Sequence, residues 1–150
     1  MKQYIGTKIV QAEPAWRVDG KVWVKSQPVP SGYHVEDGYK VVYPDGYESW
    51  SPKDVFEYAY RETSGMTFGL ALEAAKMGKK IARAGWNGKN QYVELGHDFS
   101  YTAPGDIPVQ PVQHLDIGSE ALVFVGTRGR QVGWLASQAD MLADDWQIVE

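Results

Sequence analysis

The chain contains no cysteine. Disulfides, thiolate nucleophiles and cysteine-ligated zinc are thereby excluded, which fits a reducing compartment. Positive charge is not in excess either: the net charge is -4, whereas proteins that wrap a nucleic-acid backbone ordinarily show a basic footprint. No run approaches the roughly 18 consecutive apolar residues of a membrane span. The opening Met1-Lys2-Gln3-Tyr4 also lacks the apolar stretch of a secretory signal. These absences lead to the expectation of an intracellular protein that engages neither a membrane nor a nucleic-acid polymer. Common catalytic patterns are missing too, with no H-E-x-x-H, G-x-S-x-G, G-x-x-x-x-G-K-[ST] or G-x-G-x-x-G. His34, His97 and His114 are scattered, so neither a metal set nor a cofactor is expected.

What is present is an apolar fraction of 43% in 150 residues, enough for one compact domain or two small ones. Two stretches look separately complete, 1–64 and 65–150, with a seam near Glu62-Thr63-Ser64-Gly65 and a Met66 that reads like an internal start. In the first, strands are expected at Tyr4 to Gln11 and at Trp16 to Lys25, the latter interrupted by Asp19-Gly20, followed by a polar turn from Pro28 to Gly32. Tyr39 to Tyr43 and Tyr47 to Trp50 flank Pro44-Asp45-Gly46, where proline presets φ and glycine accepts a positive one. A helix capped by Ser51 should follow, with Pro52 first, Asp54 in its first turn, and Val55, Phe56 and Ala59 as its apolar stripe.

The second stretch opens on a helix capped by Thr67, with Phe68, Ala71, Leu72 and Ala75 on one face and Gly78 at its end. Strands at Lys80 to Ala84 and Gln91 to Leu95 are joined by Gly85-Trp86-Asn87-Gly88. From Gly96 to Gly118 the composition predicts a long loop, mobile without ligand. Ala121 to Val125 is apolar without alternation, which suits a strand buried on both faces and asks for a cover, with a partner subunit the simplest one. A strand ending at Trp134, a short helix capped by Ser137 and a strand from Asp145 to Val149 complete an α+β fold of two small domains, each a short antiparallel sheet with one or two helices, in an oligomer.

Six tryptophans are more than a core of this size requires. Trp146, in an alternating strand, reads as core. Trp86 lies in a glycine-flanked turn and Trp134 where a strand gives way to a helix cap, and ring faces at such positions can meet a planar ligand. A purine between two indoles would gain about 2 to 6 kcal/mol, at about 1 to 3 per stacked face. Nanomolar capture needs about 12 kcal/mol, so hydrogen bonds and a charge-assisted phosphate contact must add the rest. Asn87, Ser137, Gln138 and Asp140 offer edge recognition. Lys76, Lys79, Lys80, Arg83 and Lys89 lie in an acid-free stretch; the first three suit a helix end, which leaves Arg83 as the candidate cation. Asp140 and Asp144, four apart, are the alternative acid/base pair, although Asp144-Asp145 also reads as a turn.

At these residues the sequence resembles a known family. Met66-Thr67-Phe68-Gly69-Leu70-Ala71-Leu72, Arg83-Ala84-Gly85-Trp86-Asn87-Gly88, and the run from Gly133-Trp134 through Ser137-Gln138-Ala139-Asp140 to Asp145-Trp146 are similar to Thoeris anti-defense 2, or Tad2. The resemblance implies a phage sponge that acts in the host bacterial cytoplasm and binds, without cleaving it, a glycocyclic ADP-ribose made from NAD by a TIR-domain enzyme. It further implies tetramers with ligand pockets between subunits and, in some members, a separate site for guanine-containing cyclic dinucleotides. Carried over by motif, Trp86 and Trp134 stack on the adenine, with Asn87, Ser137, Gln138 and Asp140 around ribose and phosphates; Arg83 is added on charge grounds. Tyr43 to Lys53 resembles a small phage domain of unknown function. Two other readings stay open at this point: an enzyme degrading the same signal through Asp140, Asp144 or His97, and an interaction module that blocks a host protein.

Overall fold

The computed structural model describes residues 1–28, 34–109 and 120–150. The backbone gathers into two compact units, Met1–Arg61 and Glu62–Glu150, both α+β and both built on antiparallel sheets.

The first unit holds β1 (Gln11–Val18), β2 (Lys21–Val24), β3 (Val35–Val42), β4 (Glu48–Pro52) and α1 (Lys53–Ala59), with sheet order β2-β1-β3-β4. Asp19 and Gly20 take φ values of 47° and 82°, so the β1–β2 link is a two-residue turn whose left-handed residues match the twist of the flanking strands. At the next hairpin Gly46 takes φ 86° and donates its N–H to the Tyr43 carbonyl at 2.8 Å, while the Asp45 carboxylate accepts the Tyr47 N–H at 3.0 Å. Among the described residues of this unit, Ala15, Val18 and Val41 are the buried apolar side chains.

Three expectations are corrected here. Residues 1–10 carry no strand: β1 starts at Gln11, which pairs with Val42, the last residue of β3, so the chain before it has no partner to bond. Ser51 does not cap α1, because it stays in the ladder opposite Tyr39; Pro52 takes the cap position and supplies no side-chain hydrogen bond. The helix packs through Phe56, whose ring stacks with Tyr39 at 4.3 Å and with Tyr60, just past the helix end, at 4.7 Å, while Val55 and Ala59 are exposed. Residues 29–32 of the expected polar turn lie outside the described residues.

The second unit contains α2 (Phe68–Lys76), β5 (Lys80–Arg83), β6 (Tyr92–His97), β7 (Tyr101–Ala103), β8 (Ile107–Val109), β9 (Glu120–Gly126), β10 (Gly129–Val132), α3 (Gln138–Met141) and β11 (Trp146–Val149). Five of the strands form one sheet, in the order β10-β9-β6-β5-β11. Thr67 caps α2, its hydroxyl accepting the Leu70 N–H at 3.4 Å, and Gly78, at φ 84°, ends it. The small residues Ala71, Ala74 and Ala75 on the buried side of α2 face larger Ile81, Val93 and Trp146, all of them essentially inaccessible. Small against large lets the two layers interdigitate, and burial of each aliphatic side chain contributes about 1.5 to 3 kcal/mol. The chain entering this unit is tied to β11: Met66 and Trp146 exchange backbone hydrogen bonds at 2.7 and 3.1 Å, and Ile148 donates to the Thr63 carbonyl at 2.8 Å.

Part of the stretch expected to be a structureless loop from Gly96 to Gly118 forms a hairpin. β7 and β8 pair across Pro104-Gly105-Asp106, with Gly105 and Asp106 at φ 88° and 59°. Residues 110–119, including His114, lie outside the described residues. Of Ala121 to Val125, Val123 is fully buried; a Cβ on Gly96 would sit within 2.9 Å of both Phe99 and Val123, so Phe99 of this same chain already covers part of that sheet face. Among the described residues no helix is long and apolar enough to cross a membrane.

Candidate functional site

Three elements of the second unit converge: the Arg83–Gly88 turn after β5, the segment from Trp134 to Met141, and the start of β11. Their tryptophans meet edge to face. Trp86 lies 5.9 Å from Trp134 at 70° and 5.4 Å from Trp146 at 75°, and Trp134 lies 6.2 Å from Trp146 at 74°. Phe124 adds a fourth ring, 5.7 Å from Trp86 at 66°. Such T-shaped pairs bring a positive ring edge to a negative face and each contributes about 0.5 to 1.5 kcal/mol. Trp146 is wholly buried, while Trp86 and Trp134 are half-buried and pack on the core from outside. This geometry corrects one expectation: Trp86 and Trp134 touch each other nearly at right angles, so within a chain they leave no slot between parallel faces for a purine.

A polar network holds the Trp86 and Trp146 rings. Arg83 donates from Nε to Asp145 Oδ1 at 2.8 Å and from Nη1 to Asp140 Oδ1 at 3.0 Å. The Asp140 Oδ1 also accepts the Trp86 indole N–H at 3.4 Å, and Oδ2 accepts the Ser137 N–H at 3.0 Å and its hydroxyl at 2.7 Å. In return, Ser137 Oγ accepts the Asp140 N–H at 3.1 Å, which closes a capping box at the start of α3. The Asp140 carbonyl accepts the Trp146 indole N–H at 2.8 Å. Burial pushes the Asp140 carboxyl upward, but the hydrogen bonds from Ser137, Arg83 and Trp86 together hold it below the ordinary carboxylate range. Asp145 is held low chiefly by the hydrogen bond from Arg83, with help from the Gly85 N–H.

The predicted site residues therefore divide. Trp86, Trp134, Arg83, Ser137 and Asp140 come together, but Arg83 is clasped by two carboxylates rather than open to a phosphate, and the Ser137 hydroxyl is committed to its cap. Asn87 and Gln138 are exposed, with side chains free of hydrogen bonds among the described residues. The suggested Asp140–Asp144 acid/base pair does not form: both oxygens of Asp140 already accept two donors each, and Asp144 is exposed. His97 faces Glu120 at 3.2 Å on the exposed end of β6. No three metal-ligating side chains gather among the described residues. Sequence reasoning missed Asp145, which it took for turn punctuation. The signal was available in the register, because Trp146 pairs with Arg83, which places the preceding aspartate beside Ala84 and Gly85.

Fold and cluster together define a class: a small antiparallel α+β module whose chemistry-bearing feature is a polar-braced indole cluster. Comparison with known proteins narrows it. Residues 66–149 match the model of the Thoeris anti-defense 2-like domain. The chain is 37% identical over 91 residues to Thoeris anti-defense 2 of Bacillus phage SP01, covering 56% of this chain and 94% of that relative. It belongs to the Tad2-like family, as its sequence motifs led one to expect.

Proposed function

We propose that this protein counters Thoeris immunity in the host bacterial cytoplasm by sequestering a glycocyclic ADP-ribose signal without cleaving it. The observation that carries this reading is the family match across residues 66–149, which spans the whole indole cluster. Three features support it. Trp86 and Trp134 are half-buried and pack on the core from outside, and an indole so exposed can stack on a base. Stacking on one face contributes about 1 to 3 kcal/mol, against the roughly 12 needed for nanomolar capture. Asn87, next to Trp86 in the chain, and Gln138, at the start of α3, carry exposed amides that can read ribose and base edges. With Arg83 neutralised, the charge-assisted phosphate contact falls to Lys89, exposed in the link between β5 and β6.

Since two perpendicular rings cannot sandwich a purine, a second copy of the chain would supply the opposite wall in a homotetramer. Exposed Val132, Leu135 and Leu142 flank the cluster and favour such an assembly. A non-catalytic role fits Asp140, whose saturated and ionised carboxylate is badly placed to exchange a proton with a ligand. Guanine-containing cyclic dinucleotides are the second ligand class to screen.

The test is stoichiometric capture. Full-length protein incubated with glycocyclic ADP-ribose, washed and heat-denatured, should release about one intact ligand per site by mass spectrometry. Recovery of a hydrolysed product, turnover beyond stoichiometry, or no capture would each defeat the proposal.

A further inference from the structure

We infer that Asp145 is a positioning residue for the ligand site: its carboxylate, acting through Arg83 and Gly85, fixes the Trp86 ring before any ligand arrives. The inference rests on the sequestration reading for its functional consequence, but its geometry is independent. Asp145 grips the Trp86 turn at three points. Oδ1 accepts Arg83 Nε at 2.8 Å, Oδ2 accepts the Gly85 N–H at 3.0 Å, and its carbonyl accepts the Ala84 N–H at 3.0 Å. The guanidinium so anchored extends Nη1 to Asp140 Oδ1, the same oxygen that accepts the Trp86 indole N–H. Gly85 has room for this grip because it lacks a side chain: a Cβ there would stand 3.0 Å from Asp145 Oδ2. The chain of contacts thus runs Asp145, Arg83, Asp140, Trp86, with the turn backbone as a second route.

Positioning and cation capture predict opposite signs for one substitution. Arg83 and Gly85 donate to different oxygens of Asp145, so an amide there accepts from one of them and turns its own N–H donors toward the other. It also removes one of the two negative charges that occupy Arg83. Should Arg83 bind a ligand phosphate, Asp145→Asn would leave affinity unchanged or raise it. Should Asp145 position Trp86, the same variant would loosen the ring and weaken binding.

The experiment uses full-length 15N-labelled protein, the Trp86 indole N–H signal being assigned by its loss in Trp86→Phe, together with calorimetry against glycocyclic ADP-ribose. For Asp145→Asn the expected results are a displaced Trp86 indole signal without ligand and binding weakened roughly tenfold, the scale of one impaired stacking contact. An unmoved signal overturns the inference, and so does unchanged or tighter binding. If the wild-type protein fails to bind this ligand, the sequestration reading falls and the indole signal alone decides the positioning role. Should Asp145→Asn not fold, Arg83→Lys replaces it under the same criteria, because one ammonium keeps the charge and loses the two-armed fork.

Discussion

Replacing Trp86 by alanine separates a free ligand plate from a ring that also supports the fold. The substitution removes three edge-to-face contacts, with Phe124, Trp134 and Trp146, and the hydrogen bond to Asp140. At about 0.5 to 1.5 kcal/mol per aromatic pair, the ring contacts alone sum to about 1.5 to 4.5. Truncating a fully buried tryptophan typically costs about 3 to 5, and Trp86 is half-buried, so about 3 kcal/mol is the expected loss. For a unit of this size 1 kcal/mol moves the melting midpoint by about 4 to 8 °C, so a drop of about 12 to 24 °C should appear by circular dichroism. Trp86→Phe keeps one aromatic ring but gives up the indole N–H bond to Asp140 and part of the volume, and should lose about 1 to 2 kcal/mol. Binding is therefore best compared between wild type and Trp86→Phe, at a temperature where both are folded. A Trp86→Ala midpoint within 3 °C of wild type would refute the reasoning, because the ring would then contribute nothing to the cluster.

Other consequences are open to simpler measurement. Ser137→Ala removes the hydroxyl half of the capping box and the hydroxyl's own bond to Asp140, leaves the Ser137 N–H half in place, and should destabilise the second unit by about 1 to 2 kcal/mol in urea; a loss of ligand affinity with unchanged stability would instead make the hydroxyl a direct contact. Because Asp140 and Asp145 titrate below their unfolded value of about 3.9, their stabilisation is complete above about pH 5 and is lost as pH falls through the depressed folded values. Melting midpoints from pH 6 to pH 2 should therefore fall less steeply for Asp145→Asn than for wild type, and parallel curves would contradict the network. In the first unit, Gly38→Ala drives a Cβ into the Ser51 carbonyl and to 2.8 Å from the Trp50 ring, so β3–β4 pairing should fail and limited proteolysis should cut that unit selectively. Asn87→Ala and Gln138→Ala should leave stability within about 0.5 kcal/mol of wild type while weakening ligand capture, since both side chains are exposed.

Local signals carried most of the fold. Thr67 before an apolar period, Gly78 after it, Asp19-Gly20 and Pro44-Asp45-Gly46 between alternating strands each impose geometry on their immediate neighbours, and each element appears where its signal lies. Trp146 was legible as core for the same reason. The errors share a different cause. Tyr4 to Gln11 has strand-like composition, but a strand needs a partner, and β3 ends opposite Gln11. Pro104, Gly105 and Pro108 hid a hairpin because Pro108 sits on a short two-stranded ribbon, where a missing N–H is tolerated. At the site, residue types were readable but their commitments were not. Arg83 looked open because its own neighbourhood lacks acids, while the carboxylates that hold it stand 57 and 62 positions away. Spacing likewise brought Trp86 and Trp134 into view without revealing the angle between their planes.

The ladder joining the entry of the second unit to its last strand bears on how that unit can be isolated. Ile148 relies on a carbonyl at Thr63, three residues upstream of the methionine that looks like a natural beginning. Expression from that methionine would strip β11 of a hydrogen bond beside the most buried tryptophan and fray the terminal strand. Starting at Glu62 keeps the acceptor, so a few residues of apparent linker govern whether the excised piece is sound.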